Sequence, residues 1–384
     1  MTTNAERVHR EFGQSLWYDN LERGLLRSGA FQALLDAGVR GCTSNPTIFE
    51  KAIKSSAEYE PALRRLASAG AAPISVEEIY YDLVVEDIQK AADLLRPIYD
   101  ASEARDGYIS VEVQPKYAAD HGATVKEALE LVARIQRPNL MIKVPATEPG
   151  LIAIRTLIGK GVSVNVTLIF GVGQYENVAN AFIDGLERAA KDGRDLSRIA
   201  SVASFFVSRL DSAIDKQLDA RIAKASQAER PALEKLRGKA AIANAKQAYA
   251  AYERIFGGPR FKALKQAQAQ RVLWASTGTK DPAYPDTLYV DELIGPNTVN
   301  TLPPATLAAF QDHGKPGRTV DRDLPAANQV ITDLAALGIS VPEECERQLA
   351  AGVASFAGSL DSLFQLLTER RAALASTPGA SAAQ

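Results

Sequence analysis

The sequence predicts an α/β protein that folds as a single (β/α)8 TIM-type barrel with additional helices. Eight short apolar or β-branched runs alternate with stretches whose apolar residues recur at helical spacing, which is typical of parallel strands joined by helices. No Gly-x-Gly-x-x-Gly follows the first run, and this disfavours an open dinucleotide-binding sheet. The 384 residues are 46% hydrophobic, which is enough for one large core.

Each predicted strand is a short run that can be buried on both faces, as in an all-parallel barrel. The eight runs are 13–20, 38–46, 107–115, 140–146, 161–170, 199–207, 270–277 and 287–294. The residues between them are predicted to be mainly helical.

The chain length exceeds that of a minimal barrel, and the excess falls in a few places. Residues 210–270 are rich in good helix formers and predict a helical insert at about 211–270. We expect a single barrel domain over 1–374. A small, polar C-terminal tail is predicted to be flexible at 375–384.

The composition disfavours several classes of protein. A net charge of −2 gives no basic excess for nucleic acid or an anionic membrane surface. Cys42 and Cys345 are far apart, which fits a reducing compartment, and no Cys/His cluster supports a zinc site. The N-terminus lacks the apolar core of a signal peptide, and no uncharged apolar run is long enough to span a bilayer. We expect a cytoplasmic protein with no metal and no nucleic-acid or membrane partner.

Lys143 stands inside the apolar run 140–146. Burial disfavours a charged ammonium, and a lysine amine that gives up its proton becomes a nucleophile toward carbonyl groups. Alternatively, its stem is buried at a strand end and its charged head reaches water. This run alone does not separate the two interpretations.

Polar side chains interrupt several other predicted strands, where a barrel should be apolar. They are Asp19, Asn45, Glu112, Asn165, Thr167, Ser204 and Ser276. In a barrel of this kind the carboxyl ends of the strands form the active-site face, so these groups should meet Lys143 at one mouth. The alternative is a structural ion pair of Lys143 with Glu112 or Asp19. The number of strands involved favours a functional site.

A phosphate site is predicted after the last strands. Arg209 follows the sixth predicted strand, and Ser276 and Lys280 flank a Thr-Gly-Thr turn after the seventh. Loops at these positions often bind phosphate in this fold, and a guanidinium, a hydroxyl and a second cation are suitable ligands.

The sequence resembles the transaldolase family along nearly its whole length. The motifs that carry the resemblance are SLWYDNL at 15–21, TSNPTIF at 43–49, SVEV at 110–113, MIKVPAT at 141–147, NVTLIF at 165–170 and WASTGTK at 274–280. The tryptophan in the first motif and the helical insert are similar to the longer bacterial branch of the family.

The resemblance implies a role for each matching residue. Lys143 would form the Schiff base, Asp19 and Glu112 would act as acid and base, and Thr167 would position a catalytic water. The remaining matches would bind substrate: Asn45 and Asn165 near its hydroxyls and the lysine, and Ser204, Arg209 and Ser276 near its phosphate. Where other branches of the family carry an arginine after this serine, the present chain has Thr-Gly-Thr, and Lys280 is our own candidate for the second cation.

The expected activity is a transaldolase of the pentose phosphate pathway that needs no cofactor and acts on sugar phosphates as a monomer or homodimer. The related fructose-6-phosphate aldolases lack the glutamate of the third strand, so Glu112 favours transfer over simple cleavage. Two alternatives remain: a Schiff-base aldolase that releases free dihydroxyacetone, and a non-catalytic barrel that binds sugar phosphates.

Overall fold

Eight parallel strands close into a barrel in sequential order in the computed structural model, which describes residues 2–68 and 74–376. The strands are β1 (Gln14–Tyr18), β2 (Cys42–Thr43), β3 (Ile109–Glu112), β4 (Leu140–Pro145), β5 (Val164–Ile169), β6 (Ser201–Phe206), β7 (Arg271–Ala275) and β8 (Thr298–Leu302). The predicted fold class is confirmed.

Helices surround the barrel and fill its connections. In the described part of the chain they are α1 (Asn4–Phe12), α2 (Arg23–Arg27), α3 (Ala30–Asp36), α4 (Pro46–Ser55), α5 (Glu60–Ser68), α6 (Val76–Ala101), α7 (His121–Ile135), α8 (Glu148–Gly159), α9 (Val172–Lys191), α10 (Ser208–Ile222), α11 (Arg230–Glu234), α12 (Ala240–Phe256), α13 (Pro259–Lys262), α14 (Leu288–Glu292), α15 (Pro304–His313), α16 (Leu324–Ala336) and α17 (Val341–Ser376). Of the tail predicted at 375–384, the first two residues end α17, and 377–384 lie outside the described residues.

The predicted position of the eighth strand was wrong. Residues 287–294 contain the short helix α14, and the strand that closes the barrel is β8, Thr298–Leu302. Its sequence, TVNTL, has three polar residues and resembles a loop. In the barrel interior these groups bond to other polar side chains: Gln14 Nε2 donates to Thr298 Oγ1 at 2.9 Å, and Thr277 Oγ1 donates to Asn300 Oδ1 at 2.9 Å.

The connection between β6 and β7 is helical but not continuous. Four helices, α10 to α13, replace the nearly unbroken run that the composition predicts. One of the breaks is at Gly238, whose φ of +66° lies in the left-handed region that favours glycine. The composition predicts that this connection is helical. It does not predict where one helix ends and the next begins, because that depends on the backbone conformation of single residues such as Gly238.

Helix α17 lies against the barrel and packs on β5, α4, α5, α6 and α10. By length and composition, residues 341–373 could cross a bilayer. This is weak evidence for a membrane span, because the core helices of other proteins have the same length and composition. Here Phe356, Leu363 and Leu367 are buried in the core. At Gly352 an added Cβ would come within 2.8 Å of the Leu168 side chain, so the helix approaches β5 closely.

A buried ion-pair cluster stands at the amino-terminal end of the barrel. Asp106 accepts hydrogen bonds from Ser15 Oγ at 2.8 Å, Arg271 Nη2 at 2.9 Å and Arg40 Nε at 3.2 Å. Burial alone would raise the pKa of Asp106, but Arg271, Ser15 and Arg40 lower it to about 2. The cluster therefore ties β1 and β7 to the segment before β3.

Asp106→Asn should lower the free energy of unfolding at pH 7 by about 3–5 kcal/mol, because the buried guanidinium of Arg271 and the partly buried one of Arg40 lose their counter-charge. Since the folded pKa is depressed from 3.8, the carboxylate stabilises the fold fully above about pH 4, and this contribution is lost as the pH falls through about 2. Urea unfolding from pH 8 to pH 2 measures it. The difference between variant and wild type should stay constant down to about pH 4 and then shrink.

The control for this prediction is Asp93→Asn. Asp93 pairs with Arg137 at the surface, with 57% of its side chain exposed. An exposed pair contributes less than about 1 kcal/mol. Equal destabilisation by the two substitutions would contradict the special role of the buried cluster.

Candidate active site

A cavity of about 460 Å³ opens at the carboxyl ends of the strands. Eight of the ten residues singled out in the sequence line it: Asp19, Asn45, Lys143, Thr167, Ser204, Arg209, Ser276 and Lys280. The other two, Glu112 and Asn165, are buried beside Lys143 in the strand register and do not line the cavity. The structure thus brings all ten to one end of the barrel.

Lys143 is held among polar and aromatic groups. Its strand pairs it directly with Glu112 of β3 and Asn165 of β5. The Nζ atom donates to the backbone oxygen of Ser44 at 3.1 Å and lies 3.3 Å from Glu112 Oε2, an ion-pair distance without hydrogen-bond geometry. Only 6% of the lysine side chain is exposed, so the amine reaches the cavity while its stem stays buried.

The pKa of Asp19 and the pKa of Glu112 are both raised above their ordinary values. Burial raises the pKa of Asp19, and its hydrogen bond from Thr43 and the charges of Lys143 and Arg209 only partly oppose this. Burial also raises the pKa of Glu112, against the opposing effect of Lys143. A carboxyl group whose pKa is raised toward neutrality can both accept and return a proton, which is what acid–base catalysis requires.

Asp19 is oriented by hydroxyl groups of two neighbouring strands. It follows β1 directly, and its backbone N–H donates to the Leu302 oxygen at 2.9 Å. Thr43 Oγ1 donates to Asp19 Oδ1 at 2.6 Å, and Thr301 Oγ1 lies 2.6 Å from the same threonine oxygen. The carboxylate is therefore fixed at the cavity wall across from the lysine strand.

A hydrogen-bonded network supports the lysine from beneath. Asn165 Nδ2 donates to Ser110 Oγ at 3.0 Å, and Ser204 Oγ donates to Asn165 Oδ1 at 2.6 Å. Asn165 is completely buried and is the second residue of β5, so it lies early in its strand although it was expected at the carboxyl-terminal mouth with Lys143. It reaches the lysine because neighbouring barrel strands are staggered.

A bulge in β5 adjoins Thr167. The pairing with β6 shifts register between Val166 and Ile169, and Leu168 has a φ of +60°. Bulges of this kind re-aim side chains next to active sites. The Thr167 hydroxyl is buried in the cavity wall and has no hydrogen-bond partner among the described residues, which leaves it available to a water or a substrate.

Arg209 and Lys280 both line the cavity, together with the hydroxyl of Ser276. Arg209 lies at the start of α10 with its guanidinium 5.3 Å from the Phe206 ring centre and 5.9 Å from that of Phe356. Ser276 follows β7 with a φ of +55°, and its Oγ lies 2.9 Å from Ser208 Oγ. Lys280 is exposed and lines the same cavity.

Asn45 caps α4 at the cavity wall. Its Oδ1 accepts a hydrogen bond from the Ile48 N–H at 2.9 Å, and Pro46 occupies the first turn, as an Asn-Pro helix start predicts. Its side-chain N–H groups donate to no residue in the described part of the chain and remain for a ligand.

The sequence did not predict the aromatic residue that lines the site. Phe356 of α17 lines the cavity, and its ring centre lies 5.8 Å from Lys143 Nζ. The phenylalanine is distant from every motif and gives no local signal. Thr43 stands in the TSNPTIF motif, but only the structure shows that it bonds to Asp19.

Comparisons with known proteins agree with this geometry. Residues 16–367 match the family described as transaldolase/fructose-6-phosphate aldolase. The chain is 48% identical over 375 residues to a transaldolase of Saccharopolyspora erythraea, covering 96% of this chain and 99% of that protein. It is 45% identical over 376 residues to a transaldolase of Trichodesmium erythraeum, covering 96% and 98%. A transaldolase of Thermobifida fusca is 48% identical over 365 residues, covering 94% and 96%. The chain belongs to the transaldolase/fructose-6-phosphate aldolase family.

Proposed function

We propose that the protein is a transaldolase of the pentose phosphate pathway, a transferase that works through a Schiff base on Lys143. It moves a dihydroxyacetone unit from sedoheptulose 7-phosphate to glyceraldehyde 3-phosphate, giving erythrose 4-phosphate and fructose 6-phosphate. The observation that carries this proposal is a single cavity lined by the Lys143 amine, the Asp19 carboxyl group and two cationic side chains, with the Glu112 carboxyl group 3.3 Å behind the amine.

The first step is imine formation. The unprotonated Lys143 amine attacks the C2 carbonyl of the ketose phosphate, and the carbonyl oxygen leaves as water. Glu112, 3.3 Å from the amine, supplies and removes the protons of this step through a water held at the free Thr167 hydroxyl.

The second step breaks the C3–C4 bond. Asp19 accepts the proton of the C4 hydroxyl, C4 becomes the aldehyde of erythrose 4-phosphate, and the bonding electrons flow into the iminium. The protonated imine is the electron sink, so the mechanism uses neither metal nor cofactor. A dihydroxyacetone enamine then remains bonded to Lys143.

The second half of the reaction reverses these steps with a new acceptor. The enamine attacks the aldehyde of glyceraldehyde 3-phosphate, and Asp19 returns its proton to the new alkoxide. Hydrolysis of the imine releases fructose 6-phosphate and restores the amine. Because two half-reactions use one lysine, the kinetics should be ping-pong.

The cationic side chains that line the cavity suit the phosphate. We assign Arg209 and Lys280 as its cations and Ser204 and Ser276 as hydroxyl ligands, while Asn45 and Asn165 serve the sugar hydroxyls and the lysine region. The stacking of Arg209 between two aromatic rings supports this, because it fixes the plane of a guanidinium that can bind phosphate in a bidentate manner.

Borohydride trapping tests the function. With fructose 6-phosphate as donor, reduction should leave a covalent adduct on Lys143, detected as a mass increase and located by peptide mapping. If no adduct forms, the remaining interpretation is a non-catalytic barrel that binds sugar phosphates. Free dihydroxyacetone accumulating without an acceptor would identify an aldolase instead.

The proposed partners follow from this reaction. Sugar phosphates are the substrates, and we propose that the enzyme acts in the cytoplasm as a monomer or homodimer, without a nucleic-acid or membrane partner. A single barrel domain over 1–374 with a helical insert at about 211–270 fits this role.

Arg209→Ala should raise KM for phosphorylated donors much more than for unphosphorylated dihydroxyacetone. A lost charge-assisted contact typically costs about 2–3 kcal/mol, or about a hundredfold in kcat/KM. Steady-state kinetics with both donors measure this. Arg96→Ala is the control, because Arg96 also stacks on a ring, that of Tyr99, and does not line the cavity. Equal losses for both donors would mean that Arg209 supports the fold.

A further inference from the structure

A second, smaller cavity of about 280 Å³ lies next to the active-site cavity, and Lys280 lines both. Its walls come from α10, from the segment before α12, from the connection between β7 and α14, and from Tyr289 of α14. This connection also carries Ser276 and Lys280. The small cavity is therefore where the helical insert meets the proposed phosphate loop.

Tyr284 anchors the loop to α10. Its hydroxyl donates to Asp215 Oδ2 at 2.7 Å, and Asp215 Oδ1 accepts the Gly238 N–H at 3.0 Å. Asp215 is only 6% exposed. A Cβ at Gly238 would lie 2.8 Å from Cζ of Tyr284, so only a glycine lets the tyrosine ring rest on this backbone. One carboxylate thus joins three separate segments.

A second contact holds the residue next to Lys280. Arg237 Nη2 donates to Asp281 Oδ2 at 2.9 Å, and its guanidinium lies 6.0 Å from the Tyr284 ring centre. On the other side of Lys280, Thr277 is bonded to Asn300 of β8. The stretch that carries Lys280 is therefore fixed at both ends.

We infer that Asp215, Arg237 and Tyr284 are positioning residues that hold Lys280 over the substrate phosphate and so set the preference for phosphorylated sugars. This rests on the proposed role of Lys280 as a phosphate ligand. Helix α10 then serves both cations: it carries Arg209 in its first turn, and it fixes Lys280 through Asp215 and Tyr284. The insert between β6 and β7 gains a function in substrate selection.

Tyr284→Phe tests the inference, because it removes one hydroxyl and leaves the ring on Gly238. We expect kcat/KM for sedoheptulose 7-phosphate to fall about tenfold, mainly through KM, as is typical of one lost hydrogen bond. With unphosphorylated dihydroxyacetone as donor, the rate should change less than about twofold. Tyr59→Phe is the matched control: its hydroxyl donates to buried Asp87 at 2.9 Å, and neither residue lines the cavity.

A double-mutant cycle shows whether the effect passes through Lys280. Lys280→Gln alone should raise KM for the phosphorylated donor, and adding Tyr284→Phe should then cost nothing further. A full additional loss in the Lys280→Gln background, or equal losses for both donors, would overturn the inference. So would an unchanged KM in Lys280→Gln, since Lys280 would not bind phosphate. Borohydride trapping of the wild type in the same preparation separates these outcomes from a failure of the proposed reaction.

Discussion

Lys143→Arg should retain the barrel and lose turnover. A guanidinium stays protonated at working pH and cannot form the imine, although it keeps the positive charge beside Glu112. No borohydride adduct should form with any ketose phosphate. Thermal unfolding should show a folded protein, because the substitution preserves the ion pair at the end of a buried stem.

The matched control is Lys51→Arg. Lys51 also lines the cavity but lies on the helix α4, and the proposed mechanism gives it no role. This variant should keep its activity and its adduct. Turnover near the wild-type rate in purified Lys143→Arg would exclude the Schiff-base mechanism.

Glu112→Gln should slow imine formation and imine hydrolysis more than C–C cleavage. Glutamine keeps the size and polarity of the side chain but cannot shuttle a proton, so we expect a loss of about 10²–10⁴-fold. The reason for this assignment is position: Glu112 is level with Lys143 on the adjacent strand, beside the nitrogen on which the imine forms.

Asp19→Asn should have the opposite effect on the intermediate. Asp19 lies in the cavity wall directly after β1, accepts a hydrogen bond from Thr43 and is assigned to the C4 hydroxyl. Without a base for cleavage, the donor imine should form and accumulate. Rapid-quench borohydride trapping compares the two variants with the same ketose phosphate. Rapid accumulation of adduct in Glu112→Gln and slow accumulation in Asp19→Asn would reverse the assignment of the two carboxyl groups.

Much of the site could be predicted because its residues break the apolar pattern of buried strands. Glu112 and Lys143 stand out in runs of valine and isoleucine, and the strand order of a barrel then makes them neighbours. The register between β3 and β4 pairs them directly. The alternation of strands and helices predicts the barrel, and the barrel in turn predicts that the site lies at the carboxyl ends of the strands.

Other features depend on contacts that no local pattern encodes. The polar strand β8 is stabilised by side chains next to it, since Thr298 bonds to Gln14 of β1 and Asn300 to Thr277 just after β7. Its sequence alone resembles a loop. The left-handed backbone at Leu168 is fixed by the β5 bulge and by packing on Gly352. Phe356 lies at the site only because α17 packs against the barrel in the folded structure.

The order in which the chain is synthesised gives the position of α17 a further consequence. Asp19, Glu112 and Lys143 and all eight strands precede Phe356 in the sequence. A growing polypeptide therefore contains all three proposed catalytic residues before the Phe356 ring, whose centre lies 5.8 Å from Lys143 Nζ, has been added. We therefore expect the Lys143 amine to be more accessible to water until α17 has been synthesised and has docked. On the proposed mechanism, we expect the docking of this helix, rather than closure of the barrel, to complete the environment that protects the enamine from water.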